Sequence, residues 1–138
     1  MAYLKEKIDQ IETALVPWRN SLEMPFSDIS RDAAIRRYEY SFELLWKVAK
    51  VHLKEKEGID CFSPKSCFRE LRNILKISEE DVEICIQMSD DLNLSVHTYS
   101  EKMANGLHGK LKSYLDVSEK ILSEIRKKIA FDLVSFIL

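Results

Sequence analysis

Apolar residues recur along this chain at steps of three and four for most of its length, the spacing of one buried face of a helix. From residue 3 to about residue 22 the stripe is Leu4, Ile8, Ile11, Leu15, Trp18 and Leu22, with Lys5, Glu6, Asp9, Gln10 and Glu12 on the other side. Pro17 falls inside this run and predicts a kink or an interruption, and Pro25 lies beyond its end. Ser27, Asp28 and Ser30 are candidate caps for a second long helix reaching about Lys56, whose inward residues are Ala34, Tyr38, Phe42, Leu45, Ala49 and Leu53. Gly58 predicts its end. Ser63 and Pro64 predict the next start, a cap followed by proline in the first helical position, for a helix over residues 64 to 76 packed through Phe68, Leu71 and Leu75.

Ser78, followed by Glu79, Glu80 and Asp81, predicts another helix start, with Ile84, Cys85 and Met88 inward and an end near Asp91 or Leu92. A last long helix is expected from Thr98, which is spaced from Glu101 as in a capping box, and Met103, Leu107, Leu111, Tyr114, Ile121, Ile125 and Ile129 sustain its stripe. Gly106 and Gly109 would each cost such a helix roughly 1 kcal/mol against alanine, so the close approach of another backbone is expected there.

With only 3 Gly and 3 Pro there is little turn chemistry to join many short strands, and the fold class expected is all-α. A chain of 138 residues, 46% hydrophobic and 32% charged, fits one globular domain over residues 1 to 138. The net charge of -2 comes from 21 basic and 23 acidic residues, without the basic excess of a general nucleic-acid-binding surface. Cys61, Cys67 and Cys85 have neither CxxC spacing nor a secretory signal ahead of them, so reduced, packed thiols in a cytoplasmic protein are expected. The amino-terminal MAYLKEKIDQ is charged and amphipathic, unlike a signal peptide. IAFDLVSFIL, at the other end, is shorter than the roughly 20 residues of a membrane helix and is interrupted by Asp132, so packing against the bundle or a second subunit is expected of it.

The densest run of chemistry-bearing side chains is MSDDLNLSVHTYSE, residues 88 to 101, read as a polar junction between two helices. Its NLSVHTY, followed by a polar residue and Glu101, resembles the signature of the nucleotidyltransferase substrate-binding proteins. These are small all-α members of the HEPN superfamily encoded beside a minimal nucleotidyltransferase. The family form reads approximately DRNLTSHTY where this chain has DLNLSVHTY, so Leu92 stands in the place of an arginine. RRYEYSFELLWK is similar to the family's FExTxELxWK through Tyr38, Glu39, Ser41, Glu43, Leu44, Trp46 and Lys47, and PKSCFRELRNILK resembles its SPREVIREAFK. The resemblance runs from about residue 30 to residue 107.

It implies an up-and-down, antiparallel four-helix bundle with an extra short helix, five in all, and a homodimer. The function it implies is that of a non-catalytic, substrate-binding partner of a minimal nucleotidyltransferase, in a two-component arrangement like that of a toxin and its antitoxin. The enzyme activity would reside in the partner. No cofactor is intrinsic to this chain, and ATP and Mg are expected only with the partner enzyme. The residues expected to bind substrate or partner are Arg37, Glu43, Lys47, Asn93, His97 and Tyr99, and Tyr99 is also a candidate AMP acceptor. Four of them have an ordinary structural reading beside this one. Glu43 and Lys47 are spaced as a surface pair, His97 near a helix start as a hydrogen-bonded structural residue, and Tyr99 as an interface or core residue. Arg69 and Arg72 could meet phosphate or belong to a solvated face.

The alternative is a metal-independent HEPN-type ribonuclease toxin with His97 as its catalytic residue. Such chemistry needs a group to move the proton of the attacking 2'-hydroxyl and a fixed cation for the charge growing on phosphate. Leu92 supplies neither, and losing such a cation costs on the order of 100-fold in rate. RNA is therefore the less favoured partner, and a helical interaction module with a decayed site is a further alternative. No metal ligands are expected: Asp90 and Asp91 are adjacent, and on one helix they point roughly 100 degrees apart.

Overall fold

In a computed structural model, residues 2–137 are described. They form helices α1 (Ala2–Glu23), α2 (Asp28–Glu57), α3 (Pro64–Arg72), α4 (Glu79–His97), α5 (Glu101–His108) and α6 (Leu111–Ile137). The all-α class holds, but the described residues make six helices where five were expected. α2 is the hub, packing against each of the other helices. One seam of α2 explains this: Arg31, Ile35, Tyr38, Phe42, Leu45, Ala49 and His52, at alternating steps of four and three, are all buried. Burying a side chain the size of Phe42 or Leu45 contributes about 1.5–3 kcal/mol, so this seam dominates the packing.

The predicted stripes of α1 and α2 are the buried ones, from Leu4 to Trp18 and from Ala34 to Leu53. α1 nevertheless runs through Pro17 without interruption. The proline costs about 3 kcal/mol or more in a helix interior, but one residue later Trp18 is fully buried, its ring 5.9 Å from that of Tyr38. Continuing the helix keeps that contact. Ser27 is the cap of α2, in a reciprocal box with Ser30, and Gly58 closes the helix at φ 65°, in the left-handed region that glycine tolerates. Ser63 and Pro64 start α3 as expected, but it ends at Arg72, short of residue 76.

Larger departures lie in the second half. α4 continues past Asp91 and Leu92 to His97, because its polar residues find partners on the helices around it: Asp90 with Lys65 of α3 (2.6 Å), Asp91 with Tyr114 of α6, and Ser95 with Glu39 of α2 (2.8 Å). The break falls at Thr98–Ser100, and Ser100, not Thr98, caps the next helix. The expected long final helix is divided at Gly109 and Lys110 into α5 and α6. Neither glycine meets another element: a Cβ on Gly106 would touch nothing within 4 Å, and one on Gly109 only backbone oxygens of its own turn.

The cysteines also depart from expectation. Gly58 turns the chain back, and Ser63 fixes the start of α3, so that Cys61 lies 5.3 Å from Cys67 between Cα atoms and the two form a disulfide. Cys85 alone is a free, buried thiol, and burial holds its pKa well above the usual value. The end of α6 does not pack on the bundle: Phe131, Leu133, Val134, Phe136 and Ile137 are exposed. No helix among the described residues is long and apolar enough to cross a membrane.

Candidate functional site

Two polar assemblies flank the junction of α4 and α5, and both are built on the first half of α2. One is closed. Arg31 heads the buried seam, and its guanidinium donates to Asp32 Oδ1 (2.9 Å), Asn105 Oδ1 (3.0 Å) and the Tyr99 hydroxyl (3.0 Å). Asp28 and Glu101 stand 3.4 and 3.7 Å from it. The Tyr99 hydroxyl in turn donates to Asp32 Oδ1 at 2.6 Å, closing a ring of three groups. The hydrogen bond from Arg31, then that from Tyr99, holds the Asp32 carboxyl below its usual range. The bond to Asp32 raises the Tyr99 phenol above its own. Arg31 thereby ties the first turn of α2 to the α4–α5 junction and to α5, since Asn105 and Glu101 are α5 residues.

The other assembly is open. Between α2 and the end of α4 lies a groove of about 610 Å³, lined by Arg36, Glu39, Tyr40 and Glu43 from one wall and Leu92, Asn93, Ser95 and His97 from the other. Helical periodicity builds both walls: residues 36, 39, 40 and 43 share one face of α2, and 92, 93 and 97 are neighbours on α4. At the floor, Ser95 Oγ donates to Glu39 Oε2 (2.8 Å), and Arg36 stands 3.9 Å from the same carboxylate. At the rim, the Trp46 indole donates to Glu43 Oε2 (3.1 Å). No Glu43–Lys47 ion pair forms among the described residues; the indole holds the carboxylate instead. Asn93 and His97 are exposed along the groove, ready to hydrogen-bond a visitor.

Of the residues singled out from the sequence, the structure thus brings Glu43, Asn93 and His97 to one groove. Arg37 and Lys47 are exposed on α2 but do not line it, and Arg36 is the arginine that does. Tyr99 belongs to the closed ring with Arg31 and Asp32. Leu92, in place of the family arginine, is buried in the core cluster. Arg69 and Arg72 are exposed on α3, outside the groove. Asp90 and Asp91 diverge to Lys65 and Tyr114, and no cluster of metal-ligating side chains occurs among the described residues.

Sequence reasoning missed Arg31, Asp32 and Glu39 as members of these assemblies. A signal for Arg31 was present: it lies in register with Ile35 and Tyr38, so a charged residue occupies a core position.

A family model described as nucleotidyltransferase substrate binding protein like matches residues 2–127. Among solved structures, the crystal structure of a protein from Thermus thermophilus is similar at 36% identity, with a TM-score of 0.79, over 84% of this chain and 98% of that one. The comparison with curated proteins gave no match.

Proposed function

Because the chain belongs to the nucleotidyltransferase substrate binding protein like family, we propose that it is a non-catalytic partner of a minimal nucleotidyltransferase, in a toxin–antitoxin-like pair, and helps form that enzyme's substrate site. The observation that carries this reading is the open groove, in which Glu43, Asn93 and His97 converge with Arg36 and Glu39. Its mixture of one cation, two carboxylates and neutral hydrogen-bonding groups suits a polar ligand held by direction as well as charge. ATP and Mg enter with the partner enzyme, which supplies the transfer chemistry. The pair works in the cytoplasm. This chain is expected to act there as a homodimer.

The test is co-purification with the nucleotidyltransferase encoded nearby, then incubation with ATP and Mg and intact-mass measurement of both chains. Stable capture with no added mass on this chain, weakened about tenfold by His97→Ala, supports the reading. Failure to capture the enzyme at all rejects it.

The closed ring favours a second reading, in which Tyr99 accepts AMP. The phenol is exposed, and it already donates its proton to Asp32. Transfer would form a bond from Tyr99 Oη to the α-phosphorus, release pyrophosphate and leave the proton with Asp32. An AMP-sized mass increase, lost in Tyr99→Phe, is the expected result. The ribonuclease reading has no comparable support, since Leu92 places a buried aliphatic side chain where a cation is needed.

A further inference from the structure

Between α6 and the connection from α3 to α4 lies a cleft of about 420 Å³ that shares no residue with the groove. Helical spacing builds one wall: Glu124, Lys127, Lys128 and Phe131 stand at steps of three, one and three, a single face of α6. The other wall is Ile74, Leu75 and Lys76, which carry the chain from the end of α3 toward the start of α4. Leu75 belongs to the core and Ile74 packs against it, while Phe131 adds an exposed ring.

The polar groups of this cleft are unequally served. Lys127 stands 3.5 Å from Glu124, and Lys128 stands 3.2 Å from Asp132 with its ammonium over the Phe131 ring. Lys76 is exposed and pairs with no carboxylate among the described residues. Three lysines against one glutamate give the lining a positive balance, in a chain whose net charge is -2. Glu124 is the reverse case. Its side chain is 13% exposed, and Oε2 is buried without a hydrogen bond from any described residue. Such an oxygen is costly to leave without a donor, and Lys127 offers it charge but no hydrogen bond. A free cation, a buried acceptor short of a donor and an apolar surface therefore share one cleft.

We infer that this cleft binds a small organic acid with a hydroxyl or an ammonium beside its carboxylate and an apolar or aromatic body, the chemistry of the apolar α-hydroxy and α-amino acids. The carboxylate pairs with Lys76, the neighbouring donor satisfies Glu124 Oε2, and the body lies against Ile74, Leu75 and Phe131. An uncharged apolar molecule would leave both Lys76 and Glu124 unserved. A polyanion would set some of its charge against Glu124. The volume lies near the lower end of ligand pockets, roughly 300–1,000 Å³, which suits a molecule of amino-acid size. None of this rests on the nucleotidyltransferase partnership.

The test is titration of the isotope-labelled full chain with phenyllactate, phenylalanine and phenylpropionate in turn, followed through its backbone amide resonances. Phenyllactate and phenylalanine should give saturable shifts at residues 74 to 76 and 124 to 131. Phenylpropionate has the ring and the carboxylate but no donor, and should bind about tenfold more weakly. Lys76→Ala should weaken all three about tenfold, and because Lys76 is exposed the variant should fold as the wild type does. Glu124→Gln keeps an acceptor oxygen and loses the charge, so it should weaken phenylalanine more than phenyllactate. No saturable shift at the cleft with any of the three acids up to about 10 mM overturns the inference. So does binding unchanged in Lys76→Ala, or equal affinity for the three acids. Equal shifts from phenylethanol, which has the ring and a hydroxyl but no carboxylate, would overturn it by reducing the cleft to an apolar surface.

Discussion

The two ends of the α2 seam pose the same physical problem and solve it differently. At one end Arg31 is a buried charge; at the other His52 is a buried base, with neither ring nitrogen hydrogen-bonded to any described residue. Arg31 keeps its charge because Asp32, Asn105 and Tyr99 take up its donors and carboxylates surround it. His52 lacks such partners, and burial first, then nearby Lys56, push its pKa down to about 4, with Lys128 acting in the same sense and Asp132 against it. The lesson is that burial alone does not decide the charge of a group; the supply of partners does. The satisfied end is also the one beside the open groove.

The largest effect should come from removing the partnered charge. Arg31→Ala leaves Asp32, Asn105 and the Tyr99 hydroxyl facing one another without their common donor, and the link between α2 and the α4–α5 junction is lost. The thermal midpoint should fall by roughly 10 °C, and Arg31→Lys should recover only part of it, because one ammonium cannot serve several directions as a guanidinium fork does. A midpoint unchanged in Arg31→Ala would show that the network is decoration on a seam held by its apolar members.

At the other end the effect should appear only on acidification. In the unfolded chain a histidine takes up its proton near pH 6.5, whereas folded His52 resists until about pH 4. The unfolded state therefore binds more protons between those values, and stability falls as pH drops through that window, by about 3 kcal/mol once it is crossed. Urea unfolding of wild type and His52→Leu between pH 7 and pH 4 tests this: the leucine variant should lose that part of the slope. Parallel curves for the two proteins would mean that the imidazole is hydrated or paired in solution.

A smaller effect should set in at still lower pH at the Arg31 end. The Asp32 carboxyl is held below its usual range, so its contribution is present above roughly pH 4, the unfolded value, and is lost as pH falls toward its folded value. Asp32→Asn should flatten the acid limb below pH 4 and leave the window governed by His52 unchanged. Because Asp32 is half-exposed, solvent screening keeps the change modest. If both windows moved together, the two ends would not be separable.

How much of this is legible in the sequence follows from the same contrast. The apolar members of the seam and of α1 can be read from spacing alone, because burial repeats with the helix. Arg31 and His52 occupy the same register but are polar, and a stripe read by hydrophobicity passes over them. Sequence pattern ends α4 too early for a related reason. Asp90, Asp91 and Asn93 look like a solvated junction until Lys65 and Tyr114, far away in sequence, supply partners for the two aspartates. The family motif singles out Glu43, Asn93 and His97, which line one groove, yet it gives no hint that Tyr99 is engaged with Arg31 and Asp32. Such pairings join residues about 70 positions apart, and local pattern carries no record of them.

The smallest effect on stability should belong to the groove, and that smallness is what makes it informative. Glu43, Asn93 and His97 line its accessible walls, and of the three only Glu43 has a side-chain hydrogen bond to another described residue, from the Trp46 indole. Substituting Glu43 or His97 by alanine should change stability by no more than about 0.5 kcal/mol, as is usual for surface positions without buried partners. If the groove is where a ligand or the nucleotidyltransferase is held, the same substitutions should weaken capture about tenfold, the cost of one or two directed hydrogen bonds. Arg31→Ala, assayed below its own melting transition, gives the opposite pattern, a large loss of stability with capture affected only through the fold. Side chains that serve the fold and side chains that serve a partner would then be separated within one helix, since Arg31 and Glu43 both lie on α2. Equal and negligible changes in capture for Glu43→Ala and His97→Ala would instead assign the groove no part in recognition and leave the helical bundle as a module whose ancestral site has decayed.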